Sequence, residues 1–140
     1  MKRFISILLL IIAFVSSTVA QAEKEMVKSI SLDYMNHVMF ALPGDINLSE
    51  WDNDFIKVTT KLNVPNFPSS IVDRLVLVGR YRLAIEEQGD QLIITMPKVK
   101  TYVTVKGVDL VENLSFEIKI PAGFSISIKD STNQVLTPSM

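Results

Sequence analysis

Residues 55–64 read Phe-Ile-Lys-Val-Thr-Thr-Lys-Leu-Asn-Val, and this stretch decides the fold class. Its even positions are mainly apolar, while Lys57, Lys61 and Asn63 stand at odd positions. Alternation of period two places one face of a β-strand against a core and the other face in water. Shorter segments of the same kind recur along the chain, so the sequence predicts a protein built from strands.

About eight such short strands are separated by Gly and Pro residues, a spacing typical of all-β domains. We therefore predict one all-β domain, either a sandwich or roll or a short β-solenoid. Two of the strands are predicted over 80–85 and 98–106. Residues 69–78 differ, because Ile71, Leu75 and Val78 have helical spacing and a serine is available as N-cap. This pattern favours a short helix, with a buried strand over 75–78 as the alternative.

The start of the chain has the pattern of a secretory signal. Lys2 and Arg3 precede an apolar run over residues 4–15, and Ala20-Gln21-Ala22 fits the small-x-small rule of signal peptidases. We predict a signal peptide over 1–22, cleaved after Ala22, then a β-domain over 23–130 and a flexible tail over 131–140. The apolar run is shorter than the roughly 20 residues of a membrane-spanning helix, so we expect no transmembrane segment after cleavage.

Composition excludes several classes of function. The 140 residues include no Cys and one His, so disulfide frameworks, thiolate zinc sites, thiol nucleophiles and His-rich metal sites are excluded. Fourteen Lys and Arg residues stand against fifteen Asp and Glu residues, giving a net charge of -1. This balance lacks the basic footprint of a nucleic-acid-binding protein, so we expect no nucleic-acid partner.

Turn and strand motifs carry a family resemblance across about residues 28–129. The motifs are Gly44-Asp45-Ile46-Asn47-Leu48, Trp51-Asp52-Asn53-Asp54, Ile56-Lys57-Val58, Gly89-Asp90-Gln91-Leu92-Ile93-Ile94, Phe116-Glu117-Ile118-Lys119-Ile120-Pro121 and Phe124-Ser125-Ile126. This pattern resembles the putative auto-transporter adhesin head (GIN) domains and their adhesin-like relatives of unknown function. The resemblance implies a secreted or periplasmic all-β protein without enzymatic activity, and it offers no catalytic residues.

Four residues are candidate ligand contacts. Trp51 and Tyr81 carry aromatic faces on which a sugar ring can stack. Asp52 and Asp54 flank Asn53 in an acidic cluster that offers oxygen ligands to calcium. Asp and Asn are also the usual residues of tight turns, and this interpretation is favoured because no complete calcium motif is present. We therefore predict no metal site and no cofactor.

Two further groups of residues are candidates for ligand binding or catalysis. Lys98, Lys100 and Lys106 share one face of the strand predicted over 98–106, where they either bind a polyanion or guard an exposed strand. His37 is the one candidate for an imidazole base, but the chain has no G-x-S-x-G nucleophile elbow. We therefore predict no catalytic residue.

These observations favour a secreted or periplasmic, non-enzymatic cell-envelope β-domain that acts as an adhesin-like interaction or structural module. The alternative is a carbohydrate- or anion-binding module of the envelope. The expected partners are an envelope protein, a glycan or a second copy of the chain bound by strand-edge pairing, because edge strands present unpaired backbone groups.

Overall fold

A computed structural model describes residues 21–129 and the short strand at 135–136, and it confirms the all-β class. One α-helix, α1 (Ser69–Leu77), and one 3-10 helix (Pro97–Lys100) interrupt the strands. The strands are β1 (Ala22–Ser31), β2 (His37–Ala41), β3 (Asp45–Trp51), β4 (Phe55–Val64), β5 (Ala84–Gln88), β6 (Gln91–Thr95), β7 (Thr104–Val105), β8 (Val108–Asp109), β9 (Asn113–Pro121), β10 (Ser125–Lys129) and β11 (Val135–Leu136).

Two mixed sheets form the body of the domain. The front sheet has the strand order β1-β4-β9-β3, and the back sheet has the order β11-β10-β2-β6-β5. Strands β7 and β8 form a separate two-stranded sheet. In the front sheet, β9 pairs antiparallel with β4 and parallel with β3. A strand from late in the chain is therefore inserted between two strands that follow each other in sequence.

The centre of the fold combines the two predicted architectures. Strands β2 and β3 pass from the back sheet to the front sheet, and β9 and β10 pass in the opposite direction. These two segments stack in parallel, with β3 against β9 and β2 against β10. In the back sheet β6 continues the parallel stack beside β2, and antiparallel pairing begins outside it, at β5 and β11; in the front sheet it begins at β4. The domain is thus a two-layer sandwich whose centre has the parallel stacking of a short solenoid.

One hydrophobic core lies between the sheets, and the alternation in residues 55–64 explains its front half. Ile56 and Val58 of β4 are fully buried, as is Ile118 on the neighbouring strand β9. Val38 and Phe40 of β2 supply matching buried side chains from the back sheet. Each such burial stabilises the fold by about 1.5–3 kcal/mol. A register slip of one residue would place lysines in this core, so the pairing is strongly specified.

The predicted helix over 69–78 is present as α1. Val72 is its fully buried residue, and Asp73 forms an ion pair with Lys24 of β1 at 2.5 Å. Gly79 follows the C-cap residue Val78 with φ of +76°, a left-handed conformation that glycine adopts without strain.

Two of the predicted strands are wrong over most of their length. The strand predicted over 80–85 begins only at Ala84, and the segment predicted over 98–106 forms a 3-10 helix followed by the two-residue strand β7. Residues 80–83 continue the turn after α1, where the backbone N–H of Arg80 donates to the Leu75 carbonyl and that of Arg82 to the Gly79 carbonyl. The buried guanidinium of Arg80 donates hydrogen bonds to the carbonyl oxygens of Lys98 and Thr101. These bonds hold the segment after Pro97 against the body of the domain instead of in a ladder.

The predicted signal peptide and tail fall largely outside the described residues. The structure does not describe residues 1–20 of the signal peptide or residues 131–134 and 137–140 of the tail. Ala22, which precedes the predicted cleavage site, is the first residue of β1 and is buried. Within the described part of the chain, no helix has the length and apolar character needed to cross a bilayer.

Replacement of Gly44 tests the packing of the β2–β3 corner on β9. A Cβ atom at Gly44 would collide with the backbone carbonyl oxygen of Leu114 in β9, so one of the two strands would have to move. We expect Gly44→Ala to lower the free energy of unfolding by about 3 kcal/mol, measured by urea denaturation. The control is Gly107→Ala, where no atom lies within 4 Å of the added Cβ. Its left-handed φ alone costs about 1 kcal/mol, and equal losses in both variants would contradict the packing.

Candidate ligand-binding face

The outer side of the front sheet carries a continuous set of polar side chains, which we call the polar face. Strand alternation produces it, since the residues opposite in register to the buried ones project away from the core. Its defining residues are Glu25, Lys57, Lys61, Asn63, Asn113, Glu117 and Lys119.

Two adjoining depressions shape the polar face. The larger has a volume of about 590 Å³ and is lined by residues that include Asp45, Asn63 and Asn113. The smaller has a volume of about 240 Å³ and is lined by residues that include Lys57, Glu117 and Lys119. Glu25 and Lys61 belong to both linings, so the two depressions are continuous.

Two lysines of the polar face lie directly opposite each other. Lys57 of β4 is the antiparallel partner of Lys119 of β9. Like charges at directly opposed positions destabilise a sheet. Among the residues that the structure describes, neither of these ammonium groups forms an ion pair. The lysine pair is therefore a local concentration of positive charge in a chain whose net charge is -1.

A third lysine is neutralised locally. Lys61 Nζ donates a hydrogen bond to Glu117 Oε1 at 2.9 Å, and both side chains are about half exposed. This hydrogen bond and the charge of Lys61 hold the pKa of the Glu117 carboxyl below its ordinary value, and the charges of Lys119 and Lys57 lower it further. The same hydrogen bond raises the pKa of Lys61. Both groups are therefore charged at neutral pH.

Trp51 lies at the end of β3, beside the lysine pair. Its Nε1 donates a hydrogen bond to the carbonyl oxygen of Phe55 at 2.8 Å, and the two rings meet edge to face at 4.8 Å. The Lys119 ammonium lies 5.8 Å from the Trp51 ring centroid, which is within the range of a cation–π contact. The indole is half-buried, and its hydrogen bond to Phe55 fixes its orientation.

Asp52 and Asp54 lie in the loop that joins β3 to β4 across the end of β9. Both are exposed, and they line a depression of about 600 Å³ together with Trp51, so the structure brings three of the four predicted ligand contacts to one place. Within residues 21–129, no group of three or more His, Asp or Glu side chains is arranged to hold a metal ion. Ligand binding by Asp52 and Asp54 therefore stays a prediction.

The structure does not bring Tyr81 to this surface. Its side chain is 4 % exposed, and its ring belongs to the hydrophobic core, so the face needed for stacking on a sugar is covered. Burial raises the pKa of its hydroxyl well above the ordinary value, and the charge of Glu112 adds to this shift. Among the described residues the hydroxyl has no hydrogen-bond partner. The stacking role predicted for Tyr81 therefore does not fit its position.

The basic strand face predicted over 98–106 is also absent from the described residues. Lys98 and Lys100 lie on the 3-10 helix, whereas Lys106 lies in the turn between β7 and β8 with φ of +51°. The guanidinium of Arg80 is buried and donates hydrogen bonds to both carboxyl oxygens of Glu112, at 2.9 and 2.6 Å. These cations do not form one surface.

His37 is held by two serines of the neighbouring strand. Its Nδ1 lies 2.8 Å from Ser125 Oγ, and its Nε2 lies 2.9 Å from Ser127 Oγ. Parallel pairing of β2 with β10 places His37 opposite Ser125. In a hydrolytic triad one ring nitrogen would face a carboxylate instead. Within the described residues both ring nitrogens are engaged by hydroxyl groups.

Sequence reasoning missed most of the polar face. Alternation places Lys57 on the solvent side of its strand, and the same pattern in Phe116-Glu117-Ile118-Lys119-Ile120 is the signal available for Lys119. That these strands are neighbours, and that the two lysines face each other, depends on pairing between residues 62 positions apart along the chain.

No family model matches the chain, and no curated protein matches it. The resemblance to GIN domains therefore stays a prediction. The chain is similar to a solved structure described as a putative cell adhesion protein from Clostridium sporogenes, with 13% identity over 76% of this chain and 45% of that chain and a TM-score of 0.42. It is also similar to a putative adhesin from Bacteroides fragilis, with 16% identity, 76% and 40% coverage and a TM-score of 0.40.

A putative adhesin from Parabacteroides distasonis is similar at 18% identity over 69% of this chain and 32% of that chain, with a TM-score of 0.31. The chain spans less than half the length of each of these three solved proteins.

The electrostatics of the polar face are testable by titration. We expect the carboxyl carbon of Glu117, followed by NMR, to titrate below its ordinary pKa of 4.5 in the folded protein. Because the folded pKa is lowered, the Lys61–Glu117 interaction stabilises the fold above the unfolded pKa and is lost as pH falls through the folded pKa. In Lys61→Met the titration should move up towards the ordinary value. An unchanged midpoint in that variant would contradict the assigned cause.

Proposed function

We propose that the chain is a secreted or periplasmic cell-envelope β-domain that acts without catalysis, as an adhesin-like interaction module, and binds a glycan through the polar face. The observation that carries this proposal is the pair of continuous depressions on the front sheet, lined by charged, amide and hydroxyl side chains.

The chemistry of the polar face suits a glycan better than a protein surface. Asn63 and Asn113 lie opposite each other on β4 and β9. The Nδ2 of Asn63 donates hydrogen bonds to Glu23 Oε1 at 3.2 Å and to Gln21 Oε1 at 3.4 Å, so Asn63 offers its Oδ1 as an acceptor, while Asn113 offers donors and an acceptor to sugar hydroxyl groups. Protein interfaces depend instead on aromatic and apolar anchors that fill pockets. The most exposed large apolar side chains of the described residues, Tyr34, Leu77 and Tyr102, are not among the residues that line the two depressions.

The strand edges give a second reason to place binding on the face. On β1, Lys24 and Lys28 occupy register positions opposite the buried Leu62 and Val58. On the other edge, Glu50 of β3 is opposite the buried Ile120. Charged residues at inward-facing edge positions protect a sheet from pairing with another chain. These charges therefore disfavour the pairing of two copies through the edges of the front sheet.

Support for the location and for the absence of catalysis comes from other parts of the chain. Lys2, Arg3 and the apolar run after them have the composition of a secretory signal. The two ring nitrogens of His37 are occupied by serine hydroxyls in the part of the chain that the structure describes.

A binding experiment with a matched pair of double variants tests the proposed function. The full chain is titrated against immobilised neutral and acidic polysaccharides, and Asn63→Ala/Asn113→Ala removes the opposed amides of the polar face. We expect about tenfold weaker binding, since each lost hydrogen bond contributes about 1 kcal/mol or somewhat less.

The control is Gln88→Ala/Gln91→Ala, which removes an opposed amide pair from the back sheet. This variant should bind like the wild type, and circular dichroism should show that both variants remain folded. Equal losses in the two variants, or no binding of the wild type to any polysaccharide, would overturn the proposed function.

A further inference from the structure

We propose that Lys57 and Lys119 form an anion-binding subsite that makes the polar face selective for glycans carrying carboxylate or phosphate groups. This inference rests on the proposed function and adds the chemical class of the ligand. Its basis is the lysine pair, the ring that positions one of its members, and the carboxylate that lies beside it.

The register of β4 and β9 places the Cβ atoms of the two lysines side by side. Opposed residues of an antiparallel pair have Cβ atoms about 4.5–5.5 Å apart, so both lysine side chains rise from nearly the same place. Neither strand can slip to separate them, because Val58 and Ile118 are fully buried on the opposite side. An anionic group placed between the two ammoniums would relieve their repulsion and accept hydrogen bonds from both.

Trp51 acts on this subsite as a positioning residue. Its ring attracts the Lys119 ammonium at 5.8 Å, and its own position is fixed by the hydrogen bond to the Phe55 carbonyl. Lys119 is therefore held near the end of β3 with less freedom than an isolated exposed lysine. A fixed ammonium loses less conformational entropy when it binds an anion.

Glu117 limits the positive charge of the face without neutralising the lysine pair. Its carboxylate accepts the hydrogen bond of Lys61, and the distances place no carboxylate within ion-pair range of Lys57 or Lys119 in the described residues. Its negative charge still repels an incoming anion. Removal of this charge should therefore tighten binding of an acidic ligand, whereas removal of either lysine charge should weaken it.

The test compares three polymers on the full chain: polygalacturonate for carboxylates, poly(glycerol phosphate) for phosphates, and neutral dextran. We expect at least one acidic polymer to bind more tightly than dextran, and its affinity to fall as salt is raised. Lys57→Gln and Lys119→Gln should each weaken binding of that polymer about threefold to fivefold. Lys119→Arg should largely restore it, and Glu117→Gln should tighten it about threefold.

The matched control is Lys106→Gln, which makes the same charge change at an exposed lysine of the separate β7–β8 sheet. It should leave the affinity unchanged, and an equal loss in this variant would overturn the subsite in favour of a general charge effect. Equal binding of dextran and both acidic polymers, unaffected by Lys57→Gln and Lys119→Gln, would overturn the subsite while leaving the proposed function intact. If the wild type binds none of the three polymers, both the subsite and the proposed function are overturned.

Discussion

The insertion of β9 between β3 and β4 is the constraint on which the rest of the structure depends. Residues 113–121 pair with β4 on one side and with β3 on the other, across a sequence separation of at least 50 residues on each side. Phe116, Ile118 and Ile120 of this strand lie in the core, while Glu117 and Lys119 lie on the polar face. Core and candidate site are therefore two sides of the same strand.

Several local features follow from this insertion. The Asp52–Asp54 loop must reach across the end of β9, and Gly44 must lack a side chain where the β2–β3 corner meets Leu114. The continuation of β9 into β10 also brings Ser125 and Ser127 to His37. Because the pairings that create the front sheet are non-local, loop-closure entropy opposes them, and we infer that the front sheet completes late in folding.

Local patterns predict the parts of the fold that local interactions specify. The alternation in residues 55–64 predicts β4, because one buried face determines that strand. The helical spacing in residues 69–78 predicts α1, although its fully buried residue is Val72 and Val78 is exposed. The segments around Arg80 and after Pro97 were predicted as strands, and there the prediction is wrong. A buried bidentate contact between Arg80 and Glu112, 32 residues apart, determines the path of the chain, and periodicity carries no sign of it.

The candidate site shows the same division. Alternation in the sequence indicates that Lys57 and Lys119 lie on the solvent side of their strands, but only the pairing of β4 with β9 makes them neighbours. The aromatic ring of Tyr81 predicts stacking on a sugar, but that ring is buried in the hydrophobic core. Trp51 lies between the polar face, where Lys119 is 5.8 Å from its ring centroid, and the depression that it lines with Asp52 and Asp54. Residue type indicated the chemistry, and pairing decided which residues can act together.

The most direct test of this account is disulfide formation between strands β4 and β9. The chain has no Cys, so Lys57→Cys/Lys119→Cys introduces a single thiol pair whose state mass spectrometry can follow after mild oxidation. Directly opposed residues fall within the Cα separation that a disulfide requires, so the account predicts an intramolecular disulfide and no thiol reactive to iodoacetamide. Lys57→Cys/Ile118→Cys, with its thiols on opposite sides of the sheet, should stay reduced. Reactive thiols in the folded Lys57→Cys/Lys119→Cys protein would contradict the insertion of β9 and the polar face built on it.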